Sequence, residues 1–304
     1  MYYLENGQLI LQQVSHPNWA EETMVDVLSK AEALESMEEM HQHLLRKAFQ
    51  SDAIRLEIYK DADLFCLKPF KLKHPAVPAD PFYLLVQKKR LYIICDDSEV
   101  GGTLLKHIQK ETVPKTCLGQ LICLIIEHIT ERDMEYLEHF ENRLATLEDD
   151  IILNRKQGQN YVQIIIAMRK GLLMLKRYYE QLLNIFDGVE ENDNQLFDKQ
   201  ALRFFKISRG RIARLYHNVL SQCDYIAQIR EAYQSEVDIN LNTTMKIFTV
   251  VTTVFFPLTL IAGWYGMNLQ MPEYASPASY PIVIGISILV VAVTLVVFKR
   301  RKWF

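Results

Sequence analysis

Residues 263–274 read GWYGMNLQMPEY and lie between two long apolar runs near the end of the sequence. The segment holds Gly263, Gly266, Pro272, the neutral amide of Asn268 and one acid, Glu273, with no Lys or Arg. A bend of this kind offers bare backbone and amide oxygen between two membrane-length segments. Backbone that is not helical persists at membrane depth only if it is buried in protein or lines water. Gly266 lets the chain leave a helix without steric cost, and Asn268 supplies a carbonyl oxygen with no formal charge. Repeated around an axis, such oxygens suit a hydrated Mg²⁺, which sheds water reluctantly and keeps several waters when bound. Asn268 would then hold the ion outer-sphere, through its water. Carboxylates would bind a divalent ion more tightly and slow its release, and conduction needs weak sites. Glu273 can concentrate cations at the entrance by screened attraction.

A stripe upstream of the bend carries mixed chemistry. Asn242, Met245, Thr252, Phe256, Thr259 and Gly263 recur at gaps of three, four or seven, with Phe248 and Thr249 competing for the intermediate place. Helical geometry stacks such residues on one face. Lipid has no use for hydroxyls, an amide and a Gly there. Helix–helix packing also favours small and hydroxylated residues, so the stripe alone leaves packing and pore lining equally open. One hairpin cannot enclose a pore, and pore lining therefore requires several copies around an axis.

The elements that position these residues are two apolar runs. Residues 245–264 read MKIFTVVTTVFFPLTLIAGW with Lys246 as the only charge, and residues 281–298 read PIVIGISILVVAVTLVVF with none. Runs of roughly 18–20 apolar residues can cross a ~30 Å hydrocarbon layer as helices. Pro257 implies a kink or a packed bundle in the first. The second ends in KRRKWF, so Lys299, Arg300, Arg301 and Lys302 form a basic cluster beside Trp303 and Phe304. Clustered Lys and Arg stay on the cytoplasmic side and terminal aromatics favour the interface. The 265–280 loop then faces outward and both termini are cytoplasmic, in a multi-pass protein of the cell membrane.

Composition sets the remaining bounds. The chain has 304 residues and a net charge of −3, which does not point to nucleic acid as a partner. Cys66, Cys95, Cys117, Cys123 and Cys223 are scattered and odd in number, as buried thiols in a reducing compartment would be. Strand-like runs within 52–95, flanked by helical patterns at about 20–49 and 101–118, predict an α/β cytoplasmic domain over 1–118. His41 and His43 do not share a helix face and are expected as surface histidines. Long helices follow over 119–244: one carrying Met134, Leu137, Phe140, Leu144, Leu147 and Ile151 at gaps of three and four, a turn at 154–160, a return over 161–187 and a break at 190–195. A stalk helix then carries Ile212, Leu215, Val219, Ile226, Tyr233 and Val237. The acidic runs at 131–141 and 148–150 are expected as wet helix faces. The fold class is thus an α+β membrane protein: N-terminal α/β/α domain, long helical hairpin and stalk, and two C-terminal transmembrane helices (245–264 and 281–298) joined by the 265–280 loop, with 299–304 as a basic tail.

YGMN (Tyr265–Asn268), preceded by FFPLTLIAGW and followed by MPEY, resembles the signature loop of the CorA family of magnesium transporters. PLT (Pro257–Thr259) and the KRRKW tail are similar to that family too. The resemblance implies a homopentamer whose filter is Gly266, Met267 and Asn268, with Asn242, Met245, Thr259 and Gly263 at pore positions. Phe248 and Phe256 fall where the family commonly has Met or Leu as hydrophobic constrictions, which gate by dewetting. A departure accompanies the match. The family's regulatory acids on the stalk fall near Ile207 and Gly210, neither of which can ligate a cation by its side chain; Asp80 and its neighbouring acids stay unassigned.

No nucleotide loop or catalytic constellation stands out, so the chain reads as a transporter and not as an enzyme, with no cofactor and Mg²⁺ as the transported ion. A divalent ion gains ~4.6 kcal/mol crossing 100 mV, or roughly three decades of accumulation, so uptake can run down the electrochemical gradient. The expected partners are Mg²⁺ or a related divalent cation such as Co²⁺ or Ni²⁺, membrane lipid and further copies of the chain. Two alternatives remain: a zinc transporter resembling the ZntB branch, and a membrane-anchored helical scaffold whose hairpin only packs.

Overall fold

The structure, a computed structural model, describes residues 2–5, 8–11, 23–51, 53–70, 80–96, 104, 106–110, 117–153, 160–267 and 278–301. The chain divides into two compact units, Met1–Ile229 and Arg230–Phe304.

In the first unit, β1 (Tyr2–Glu5), β2 (Gln8–Leu11), β3 (Thr23–Leu28), β4 (Arg55–Ile58), β5 (Ala62–Leu67), β6 (Phe82–Gln87) and β7 (Arg90–Ile94) make one sheet in the order β2-β1-β3-β7-β6-β5-β4. Only the β3–β7 pair is parallel among these neighbours. The Lys88-Lys89 turn sets the β6–β7 register, with Gln87 opposite Arg90 and Leu85 opposite Tyr92. All of β5 is buried, and so is β6 up to Gln87. A strand covered on both faces reads as an unbroken apolar run instead of alternating.

One cover is α1 (Lys30–Ser36) with α2 (Glu39–Phe49). Ser29 and Glu32 close a reciprocal capping box that starts α1. Ala33, Leu45 and Ala48 then join Leu64, Cys66, Tyr83, Leu85 and Ile94 in one core. The opposite cover involves α5 (Tyr161–Glu191), where a Cβ on Gly188 would lie 3.1 Å from Leu56 of β4. The α/β/α layering is as expected.

Two local expectations need correction. Within 20–49, Thr23–Leu28 is not helical but β3, and the chain returns to its parallel partner β7 through α1, α2 and the β4–β5–β6 meander. His41 is not a surface residue. It is buried on the α2 face that also carries Leu45 and Ala48, with Nε2 3.6 Å from Asp61 Oδ2, whereas His43 is exposed. Strands β1 and β2 had no counterpart in the sequence reading. Much of the 101–118 helical pattern and of the 154–160 turn lies outside the described residues.

Beyond α1 and α2, the long helices among the described residues of this unit are α3 (Leu118–Ile129), α4 (Asp133–Ile152), α5 and the part of α6 (Lys199–Tyr265) that falls within it. Leu137, Phe140, Leu144, Leu147 and Ile151 of α4 are buried, while Met134 is 46% exposed. Ile212, Leu215, Val219 and Ile226 of α6 are buried, but Val237 is exposed. The break at 190–195 has a clear cause. Asn192 takes the left-handed conformation (φ 47°) that ends α5. Its side chain donates to Phe197 O at 2.8 Å and accepts from Phe197 N at 3.2 Å. Asn194 ties the break to the sheet by donating to Tyr59 O and to Asp63 Oδ1. Where α3 meets α6, a Cβ on Gly119 would lie 2.6 Å from Ala201 Cβ, so a Gly is required there.

The acidic run at 131–141 is not wholly a wet face. Asp133 is 1% exposed and accepts a hydrogen bond from the Tyr179 hydroxyl at 2.9 Å. Burial raises its pKa to about 6 against an ordinary 3.8, partly offset by that bond. Because the folded value is raised, this group stabilises the fold when protonated, and that contribution is lost as pH climbs from about 4 to about 6. Asp133→Asn keeps an acceptor for Tyr179 and removes the ionisation. Its stability relative to wild type should grow across that window to about 2–3 kcal/mol, measured by thermal unfolding followed in near-ultraviolet circular dichroism. A difference independent of pH would contradict the assignment.

Candidate functional site

The second unit contains the C-terminal part of α6 and α7 (Ser279–Arg300). Both helices are long and apolar enough to cross a membrane, and of their most apolar windows only 6% and 0% are buried within the chain. They are therefore not core helices of a soluble domain. α6 continues through Pro257 to Tyr265, and the Gly266 N–H donates to Ala262 O at 2.8 Å to close the last turn. A Cβ at Gly266 would lie 2.8 Å from that same carbonyl oxygen, so the sequence exits the helix at a residue without one.

Each helix has one covered side. On α6, Val250 is buried and Val254, Pro257, Leu258 and Ile261 are half-buried. On α7, Val283, Ser287, Val290, Thr294 and Phe298 are half-buried at gaps of three and four. The mixed stripe of α6 lies elsewhere. Asn242, Met245, Phe248, Thr252, Phe256, Thr259 and Gly263 are all exposed. At 3.6 residues per turn Met245, Phe248, Thr252, Phe256, Thr259 and Gly263 fall on the side of the helix opposite the covered one, with Asn242 at its edge. Phe256 is 74% exposed, more than a lone chain would normally leave a Phe.

The hydroxyls on this segment share a defined polarity. Thr252 donates to Phe248 O at 2.8 Å, Thr259 to Phe255 O at 2.9 Å and Thr249 to Met245 O at 2.8 Å. Each proton is used within the helix. The oxygen lone pairs remain, so Thr252 and Thr259 present acceptors. A Cβ on Gly263 would meet nothing within 4 Å.

Gly266 and Met267 are described and exposed. Asn268, Glu273 and Lys302 lie outside the described residues. Lys299, Arg300 and Arg301 are exposed at the end of α7, where cations complement the helix carbonyl end. On the stalk, Ile207 is 59% exposed and Gly210 has open space at its Cβ, so neither supplies a ligand atom. Asp80 is exposed.

One cluster in the first unit was missed in the sequence. His107, His128 and Glu131 bring one ligand atom each within 4.8 Å of one another. The spacing of His128 and Glu131, three residues apart at a helix end, was the available signal. His107 is brought in only by tertiary structure. Burial and the neighbouring His107 hold the His128 pKa below its ordinary value, against the pull of Glu131.

The profile of the CorA-like Mg²⁺ transporter protein family matches residues 24–300 of the chain. The chain is 25% identical over 184 residues to the cobalt/magnesium transport protein CorA of Thermotoga maritima, covering 60% of this chain and 52% of that protein. It is 40% identical over 76 residues to the magnesium transport protein CorA of Wolinella succinogenes, covering 25% of this chain and 24% of that protein. In sequence, then, the chain spans about half or less of the curated relatives it matches. Its fold is similar to the complete structure of the CorA magnesium transporter from Methanocaldococcus jannaschii, with a TM-score of 0.75 over 100% of this chain and 99% of that one at 19% identity. The chain belongs to the CorA-like Mg²⁺ transporter family.

Proposed function

We propose that this chain is one subunit of a homopentameric channel that passes hydrated Mg²⁺ inward, down its electrochemical gradient, with Co²⁺ and Ni²⁺ as further cargo. The observation that carries this reading is the polarity of α6. Its hydroxyl and Gly positions sit opposite the side the chain covers, with the Asn242 amide at their edge. Turned toward an axis shared by several copies, that stripe lines a continuous path.

A hydrated cation presents water hydrogens outward, so its path must offer acceptors. Thr252 and Thr259, their own protons already donated to the helix, provide them. Asn268 forms the outer amide ring together with the Gly266 and Met267 backbone, and Glu273 raises the local cation concentration. Phe256 narrows the path between the Thr252 and Thr259 rings and Phe248 narrows it one turn before Thr252, and an apolar ring at either place opposes wetting and can act as the gate. Lys299 to Lys302 anchor the cytoplasmic end, with both termini inside the cell.

Purified protein in liposomes should take up Mg²⁺ with the membrane potential as the driving force and without a pH gradient. Asn268→Ala should abolish selective uptake while the oligomer still forms. Equal flux with the amide removed would contradict the filter. Zn²⁺ uptake that requires a pH gradient would favour the zinc-transporting alternative. Gly263→Ala separates lining from packing within the chain: the new methyl meets nothing in the hairpin and replaces the weaker helix former, a gain of up to ~1 kcal/mol. Its helix content by circular dichroism should be unchanged or slightly higher, and a loss of helix would contradict the open placement of Gly263.

A further inference from the structure

His107 lies in the helical segment 106–110, His128 in the last turn of α3, and Glu131 in the short turn before α4. The imidazole rings of His107 and His128 are 4.1 Å apart at their centroids and tilted by 32°. His128 Nδ1 faces Glu131 Oε2 at 3.7 Å, beyond hydrogen-bond reach. That nitrogen is shielded from water and has no hydrogen-bond partner. A polar atom left in this state costs free energy unless something engages it. Arg211, which borders the same groove as Glu131, pairs with Glu127 at 3.3 Å instead.

We propose that His107, His128 and Glu131 bind one divalent transition-metal cation of the Zn²⁺ and Co²⁺ class. Two imidazole nitrogens and one carboxylate oxygen form a donor set suited to such ions. The set is unsuited to Mg²⁺, which takes oxygen ligands at near-octahedral geometry. Metal–ligand bonds of roughly 2.0–2.2 Å require the three donor atoms to close in by about an ångström from their present spread. His107 is half-buried and Glu131 exposed, so both side chains have room to turn. Three protein ligands leave a fourth position for water.

Glu131, the exposed member of the set, also borders an open groove of about 380 Å³ lined by Thr130, Met134, Arg211, Arg214 and His217, so its carboxylate is reached from solvent. The site lies wholly in the first unit and does not depend on transport through the second.

The test uses the full chain in detergent, stripped of metal and titrated with Co²⁺ alone. Four-coordinate Co²⁺ on imidazole absorbs visible light far more strongly than hydrated octahedral Co²⁺, so ions passing with their water coat stay silent. The expected result is saturation at about one Co²⁺ per chain, reversed by Zn²⁺ and unaffected by a large excess of Mg²⁺. His107→Gln and Glu131→Gln, both at positions with solvent access, should each weaken binding by at least the roughly 10–100-fold seen for loss of an outer-shell partner. His128→Gln should abolish it with helix content unchanged, and His139→Gln, remote on an exposed face of α4, should leave it intact. No visible band in the wild-type chain, or a band that survives His107→Gln and His128→Gln, would overturn the proposal.

Discussion

An apolar helix that its own chain leaves bare has to be covered from outside. Two such helices end this protein, with Phe256, Ile288 and Leu289 among the side chains more than half exposed. At about 25 cal/mol per Å² of apolar surface, water is not a tolerable neighbour for them. A bilayer satisfies most of α7, which is mainly Val, Ile and Leu. It does not account for the hydroxyls, amide and Gly gathered on one side of α6. That side calls for partners of another kind, and the proposed function fills it with further copies of the same helix.

The two metal chemistries in the chain are of opposite type. Along α6 the donors are oxygens without formal charge, and none competes with the water bound to a small hard cation. Selection by such a surface works on the hydrated ion, and release stays fast because no inner-sphere bond has to break. In the first unit, His107, His128 and Glu131 offer nitrogen and carboxylate donors, which reward ions that give up water readily and favour borderline ligands.

The membrane half was legible because its signals are local. An unbroken apolar run, a Gly at a helix exit and a stripe at gaps of three and four are each written within a few residues, and α6 ends at Tyr265 beside the 264 boundary expected for it. The central strands β4 to β7 were legible for the same reason. The misreadings come where tertiary pairing decides. Thr23–Leu28 is half β-branched but short and directly joined to α1, and what makes it β3 is pairing with β7, more than 60 residues away. His41 looked solvated because nothing in its neighbours says which α2 face meets the sheet. Asp133 sits in an acidic run and is nevertheless buried against Tyr179, a partner 46 residues on. The His107–His128 pair likewise depends on two segments meeting in space.

The exposed stripe of α6 is open to direct chemical mapping. In a full-length chain whose native cysteines (Cys66, Cys95, Cys117, Cys123 and Cys223) have been replaced, single cysteines are introduced at Thr252, Thr259, Val254 and Ile261 and challenged in membranes with a charged, membrane-impermeant thiol reagent. Cysteine at Thr252 and Thr259 is expected to react, at a rate slowed by millimolar Mg²⁺, while cysteine at Val254 and Ile261 stays protected. Protection at Thr252 and Thr259, or equal labelling at all four positions, would contradict a hydrated path along this stripe.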